Sequence, residues 1–132
     1  MTNVDLNDLI GKPFSENGYG PESFSCFGLA WEVFRRFGID IPKTDISVCA
    51  CEQTSRKEIQ RQIAKDYEQI EKPEVPCGII IQAAPGHAEH IGVYIGNQKM
   101  IHISMTTNVV VDRIFNWKDR IMGYYKYVGN TN

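Results

Sequence analysis

The order of the patterning predicts an α+β fold, with N-terminal helices packed on an antiparallel sheet. Before Pro76 the apolar residues recur at three- and four-residue steps, the period of a helix face. After Pro76 they gather in short runs rich in Ile, Val and Tyr, separated by turn residues, the grammar of strands. With 132 residues, 42% of them apolar, the chain suits one domain spanning 1–132 that closes its own core. It shows no internal repeat, low-complexity tract or linker.

Val4, Leu6, Leu9 and Ile10 predict a brief packing helix, stopped by Gly11 and Pro13. Gly18 to Ser25 is turn chemistry that delivers the next element to a surface. That element runs from Ser25 to Gly38 and is the centre of the chain. Ala30, Val33, Phe34 and Phe37 form a buried stripe, Glu32, Arg35 and Arg36 fall on the expected wet side, and Gly38 stands where a helix C-cap belongs. Gly28 lets another backbone come close. Cys26 opens the helix, where unpaired N–H groups and the positive dipole end favour a thiolate. It is therefore a candidate nucleophile, set against the plainer reading of a small buried hydrophobe.

Ser55-Arg56-Lys57-Glu58 reads as a capping box, followed by Ile59, Ile63, Tyr67 and Ile70 on one face, so a second helix is expected from about 55 to about 70. Glu71 to Pro76 breaks it. Five strands follow, at residues 78–83, 90–95, 99–104, 108–112 and 121–127.

All three histidines, His87, His90 and His102, lie in the strand half. A helix-borne cysteine facing sheet-borne histidines suits thiol catalysis: one imidazole holds the thiolate and later protonates the leaving amine, and a third polar group fixes that ring. His90, opening its strand, is the better base. His102 follows in the next strand, across Gly96-Asn97-Gln98, and register decides whether the rings meet. A three-residue turn, or a bulge between Tyr94 and Met100, puts His102 opposite Gly92 and diagonal to His90. A plain two-residue turn puts the rings on opposite faces.

The formal charge of −2, from 14 basic and 16 acidic residues, offers no basic stripe, so nucleic acid is not expected as a partner. The N-terminus lacks a secretory signal and no apolar run is long enough to cross a bilayer, so no membrane partner and a cytoplasmic location as synthesised are expected. Under that expectation the four cysteines are thiols, with no disulfide. Cys49-Ala50-Cys51 with Cys77 and His87 fits no common structural-zinc spacing, so no metal is expected.

These pieces resemble the NlpC-type peptidoglycan peptidases, a papain-like family of cysteine peptidases. Gly11-Lys12-Pro13-Phe14 looks like its entry segment. Phe24 to Leu29, followed by Phe37-Gly38-Ile39-Asp40-Ile41-Pro42, is similar to its cysteine helix and exit. Glu89 to Asn97 with Met100-Ile101-His102 resembles its histidine hairpin, the most specific of these signals. The resemblance implies a papain-like helix-and-sheet fold with five or six antiparallel strands, and a triad of Cys26 as nucleophile, His90 as base and acid, and His102 as third polar residue. It implies peptidoglycan stem peptides as substrate and no cofactor. Gly20 to Phe24 and the tail from Asn116 to Tyr125 look most like the phage-associated branch, which implies phage-tail proteins as partners. The chain departs from the family at Ser25, where aspartate is usual, at Phe14, where a tyrosine is frequent, and at Pro76-Cys77-Gly78, where the family has Pro-Gly-Asp. These departures bear on the substrate pocket and make Tyr19 and Ser25 the expected substrate contacts, Tyr19 supplying the hydroxyl that Phe14 lacks. Two alternatives stand beside the peptidase: a non-catalytic assembly or binding module of the same fold, and an acyltransferase that uses the same thiol. The oligomeric state is not legible.

Overall fold

A computed structural model describes residues 4–43, 65–82, 89–104 and 107–129. In chain order it has a 3-10 turn at Asn7–Leu9, one long helix α1 (Cys26–Arg36), and strands β1 (Tyr67–Ile70), β2 (Cys77–Gln82), β3 (Glu89–Gly96), β4 (Lys99–Ser104) and β5 (Thr107–Arg113). A second 3-10 turn at Ile114–Trp117 precedes the last strand, β6 (Ile121–Tyr127). The six strands form one sheet in the order β1-β6-β2-β3-β4-β5, and each strand runs antiparallel to its neighbours. This is the expected α+β architecture.

Both ends of α1 are specified locally. Ser25 takes an extended conformation and its Oγ accepts from the Gly28 N–H at 2.9 Å, an N-cap. At the other end Gly38 N–H donates to Arg35 O and Ile39 N–H to Phe34 O, both at 2.9 Å, with Gly38 at φ +86°. That pair of bonds is a Schellman motif, and its left-handed residue is the glycine expected there. Ala30, Val33 and Phe34 are buried as the period requires. Glu32 is not on the wet side. It is 7% exposed, held by Arg35 at 2.7 Å and Arg36 at 2.8 Å, and Arg36 also donates to Asp8 Oδ2 at 2.9 Å. Burial raises the Glu32 carboxyl, but the two guanidinium groups outweigh it and leave its pKa below the ordinary value. Helical period alone placed Glu32 outside; its cations let the carboxylate go in.

The expected second helix is corrected in part. Residues 44–64 lie outside the described residues, and Tyr67 and Ile70, expected on a helix face, belong to β1. β1 pairs with β6, Tyr67 opposite Tyr127 and Ile70 opposite Tyr124, and the two tyrosine rings meet edge-on at 5.2 Å. A four-residue segment is too short for its own period to choose, so the distant partner strand decides.

The sheet is apolar on both faces. On one, Val93, Ile101, Ile103 and Val109 pack with Leu29, Ala30, Val33 and Phe34 of α1. On the other, Cys77, Ile79, Ile81, Tyr94 and Met100 form a second cluster with Ile114. No helix among the described residues is long and apolar enough to cross a membrane.

Candidate active site

Cys26 is the first residue of α1 and is 1% exposed. The loop before it is strapped to the helix: Ser25 N–H donates to Gly18 O at 2.9 Å, Ser25 Oγ donates to the same carbonyl at 3.2 Å, and Gly28 gives it room. Ser25, expected at the substrate, is 6% exposed with its hydroxyl occupied as both donor and acceptor within the chain. Serine and aspartate are both strong N-caps, so the helix keeps its cap where the family's usual aspartate is absent. Tyr19 lays its ring edge-on against Trp31 at 5.5 Å and Phe27 at 6.4 Å, with the Lys43 ammonium 4.7 Å from its centroid. Phe14 forms an isolated bridge with Phe24 and packs on the main core.

The sulfur of Cys26 is disulfide-bonded, and this corrects the expectation of four thiols. Cys77 is a free, buried thiol whose pKa burial pushes up to about 11. Cys49, Cys51 and His87, the remaining members of the zinc reading, lie outside the described residues. Among the described residues no group of three or more His, Cys, Asp or Glu could hold a metal ion.

The histidine hairpin has the bulge. Tyr94 pairs with Met100 and Val93 with Ile101, while Gly96 pairs with Lys99, so Ile95 is the extra residue. The turn has two residues, Asn97 and Gln98, both at positive φ (55° and 62°), as in a type I′ turn. The bulge restores the parity that a two-residue turn alone would lose. Continued one step, the register sets His102 across from Gly92, whose missing Cβ would lie 3.3 Å from His102 Cβ. His90 lies across from Ile81, and by alternation both imidazoles leave the sheet on the Ile81, Tyr94 and Met100 side. α1 packs on the opposite parity, against Val93, Ile101 and Ile103.

The two imidazoles are brought together as the hairpin argument required. His90 Nε2 lies 3.3 Å from His102 Nδ1, with the rings edge-on, and the residues are 5% and 3% exposed. Burial first, and the neighbouring His102 second, lower the pKa of His90 to about 3, so the ring is neutral at pH 7.

Sequence reasoning missed what lies behind His102. Its Nε2 is 2.7 Å from Asp112 Oδ2, and Trp117 Nε1–H donates to the same oxygen at 3.2 Å. The Trp117 ring meets the His102 ring edge-on at 5.1 Å. Asp112 was visible as the polar end of an apolar run, but its alignment with His102 requires the β4–β5 register, in which Met100 pairs with Asp112 and His102 with Val110.

Residues 11–126 match the model of the NlpC/P60 family. The chain is 27% identical over 117 residues to the probable endopeptidase p60 of Listeria monocytogenes, covering 87% of this chain and 21% of that protein. It is 31% identical over 112 residues to the murein DD-endopeptidase MepH of Escherichia coli K12, covering 80% of this chain and 37% of the relative. The chain thus spans about a fifth of the length of the Listeria relatives it matches. Among solved structures, NlpC1 of Trichomonas vaginalis superposes with a TM-score of 0.64 at 18% identity, over 92% of this chain and 41% of that one. The NlpC/p60 domain of the peptidoglycan hydrolase SagA superposes with a TM-score of 0.58 at 18% identity, over 89% of each chain. At such identities the superpositions speak for the fold, and the family match, which takes in most of the chain, for its descent. With its cysteine-led helix and its histidine hairpin on a six-stranded antiparallel sheet, the chain belongs to the NlpC/P60 family.

Proposed function

We propose that the chain is a cysteine peptidase that hydrolyses amide bonds in peptidoglycan stem peptides, with Cys26, His90 and His102 as its triad. The observation that carries the reading is the buried contact of His90 with His102 at 3.3 Å, on the hairpin that follows α1 in a chain of this family. The names of its relatives, among them a murein DD-endopeptidase and a probable endopeptidase, point to the same substrate class.

In the reaction the Cys26 thiol gives its proton to His90, and the thiolate adds to the carbonyl carbon. The Cys26 backbone N–H, at the start of the helix, donates to the developing oxyanion. Collapse breaks the C–N bond, the amine leaves with the proton from His90, and water activated by the same imidazole hydrolyses the thioester. A sulfur in a disulfide has no proton to give, so turnover requires reduced Cys26. The test is mass spectrometry of products after incubation with defined muropeptides, with and without a dithiol reductant. Cleavage by the reduced wild type that is absent in Cys26→Ala is the expected result. Cleavage retained by Cys26→Ala overturns the mechanism.

The disulfide at Cys26 favours one second reading, a non-catalytic module of the same fold, of the kind that assembles into a phage tail. Binding of muropeptides without products, in the presence of reductant, is the result that selects it. An acyltransferase would pass through the same thioester and differ only in acceptor, which the same product masses reveal.

A further inference from the structure

We infer that Asp112, steadied by Trp117, is a positioning residue that fixes the tautomers of both histidines and leaves Nδ1 of His90 as the one bare nitrogen available to a thiol. The inference concerns the triad proposed above and rests on that reading for its role in turnover, though not for its structural content.

The argument runs through donors and acceptors. A carboxylate only accepts hydrogen bonds, and a neutral imidazole carries one N–H and one lone pair. Asp112 Oδ2 sits 2.7 Å from His102 Nε2, so that nitrogen carries the hydrogen. His102 Nδ1 is then an acceptor. It faces His90 Nε2 at 3.3 Å, so the hydrogen of that contact sits on His90. His90 Nδ1 is left with its lone pair. With both rings neutral, switching His102 sets its lone pair against the carboxylate, and switching either ring alone sets N–H against N–H or lone pair against lone pair, in a site where both residues are almost wholly buried. Trp117 Nε1–H donates to the same Asp112 oxygen at 3.2 Å, and its ring stands edge-on to His102, which holds the carboxylate and the ring in register. The family's third polar residue is thus itself oriented by a fourth and a fifth residue, brought to it by the β4–β5 pairing and the 3-10 turn that follows. Asp112 acts through His102.

The experiment is long-range 1H–15N correlation of the histidine rings in the full chain, reduced, with assignments from His90→Gln and His102→Gln. In the wild type both His90 and His102 should show the neutral Nε2–H pattern, with Nδ1 unprotonated. Asp112→Asn offers an amide that can donate as well as accept, so His102 is released to the other tautomer. The same variant should lower kcat about 10–100-fold on muropeptides with KM changed less than about 2-fold, since misorienting a base costs turnover more than binding. Trp117→Phe keeps the ring and removes the donor, and should show a smaller shift of the same sign. A wild-type spectrum with the proton on His102 Nδ1 overturns the inference, and so does an Asp112→Asn variant with unchanged tautomers. Wild-type tautomers as expected, together with cleavage that survives Cys26→Ala, support the inference and overturn the peptidase mechanism, so the two fail separately.

Discussion

Substituting alanine for Gly28 tests whether the loop before Cys26 really lies on α1. Helix propensity by itself says that the change should stabilise, because glycine inside a helix is about 1 kcal/mol worse than alanine. The structure says the reverse. A Cβ at position 28 would overlap the Gly18 carbonyl oxygen and lie 2.9 Å from both the Gly18 carbonyl carbon and Ser25 Oγ, and two of these three neighbours are backbone. The Gly18 carbonyl must retreat, which breaks its bonds from Ser25 N–H at 2.9 Å and Ser25 Oγ at 3.2 Å. Two hydrogen bonds at about 1 kcal/mol each and a strain of about 1–3 kcal/mol, less about 1 kcal/mol of propensity, give a net loss of about 2–4 kcal/mol. Urea unfolding at pH 7 reads this as a lower midpoint at unchanged slope. Gly38→Ala is the control, since it has φ +86° and no atom within 4 Å of its added Cβ, so it should lose only about 1–2 kcal/mol of left-handed backbone strain. A Gly28→Ala protein as stable as the wild type, or more stable, would refute the strap of residues 18–25 and with it the placement of Cys26.

Stability should fall with acid through His90. Its pKa is lowered from 6.5 to about 3, so between these values the unfolded chain binds a proton that the folded chain does not, and stability declines as pH drops below about 6.5. The loss at pH 5 is about 2 kcal/mol by urea midpoint, and a His90→Gln protein whose pH slope equals the wild type's would remove His90 as its source. Cys77 should resist alkylation at pH 8 until the chain unfolds, because it is 0% exposed and burial pushes its pKa up to about 11; labelling of the native protein at Cys77, read by peptide mass, contradicts that burial. Ser25→Ala should cost about 1 kcal/mol by leaving Gly28 N–H without its cap, and Ser25→Asp should recover part of it. Equal midpoints for Ser25→Ala and wild type would show that the cap contributes nothing.

Short-range chemistry was legible in the order of the residues. The apolar helical period and the terminal glycine bounded α1, short runs rich in Ile, Val and Tyr marked five of the six strands, and the count of residues between His90 and His102 required either a three-residue turn or a bulge if the rings were to meet. The folded hairpin took the bulge, extruding Ile95 so that a two-residue turn could keep both imidazoles on one face. It also decided what distance along the chain conceals. Tyr67 to Ile70 became an edge strand because β6 lay ready to pair with it, Glu32 went inside because Arg35 and Arg36 accompanied it, and Asp112 reached His102 because β5 aligned beside β4. One cause underlies all three. Period and capping act over one or two turns of chain, whereas pairing, charge compensation and hydrogen-bond relays depend on partners that only the folded backbone brings within about 3 Å.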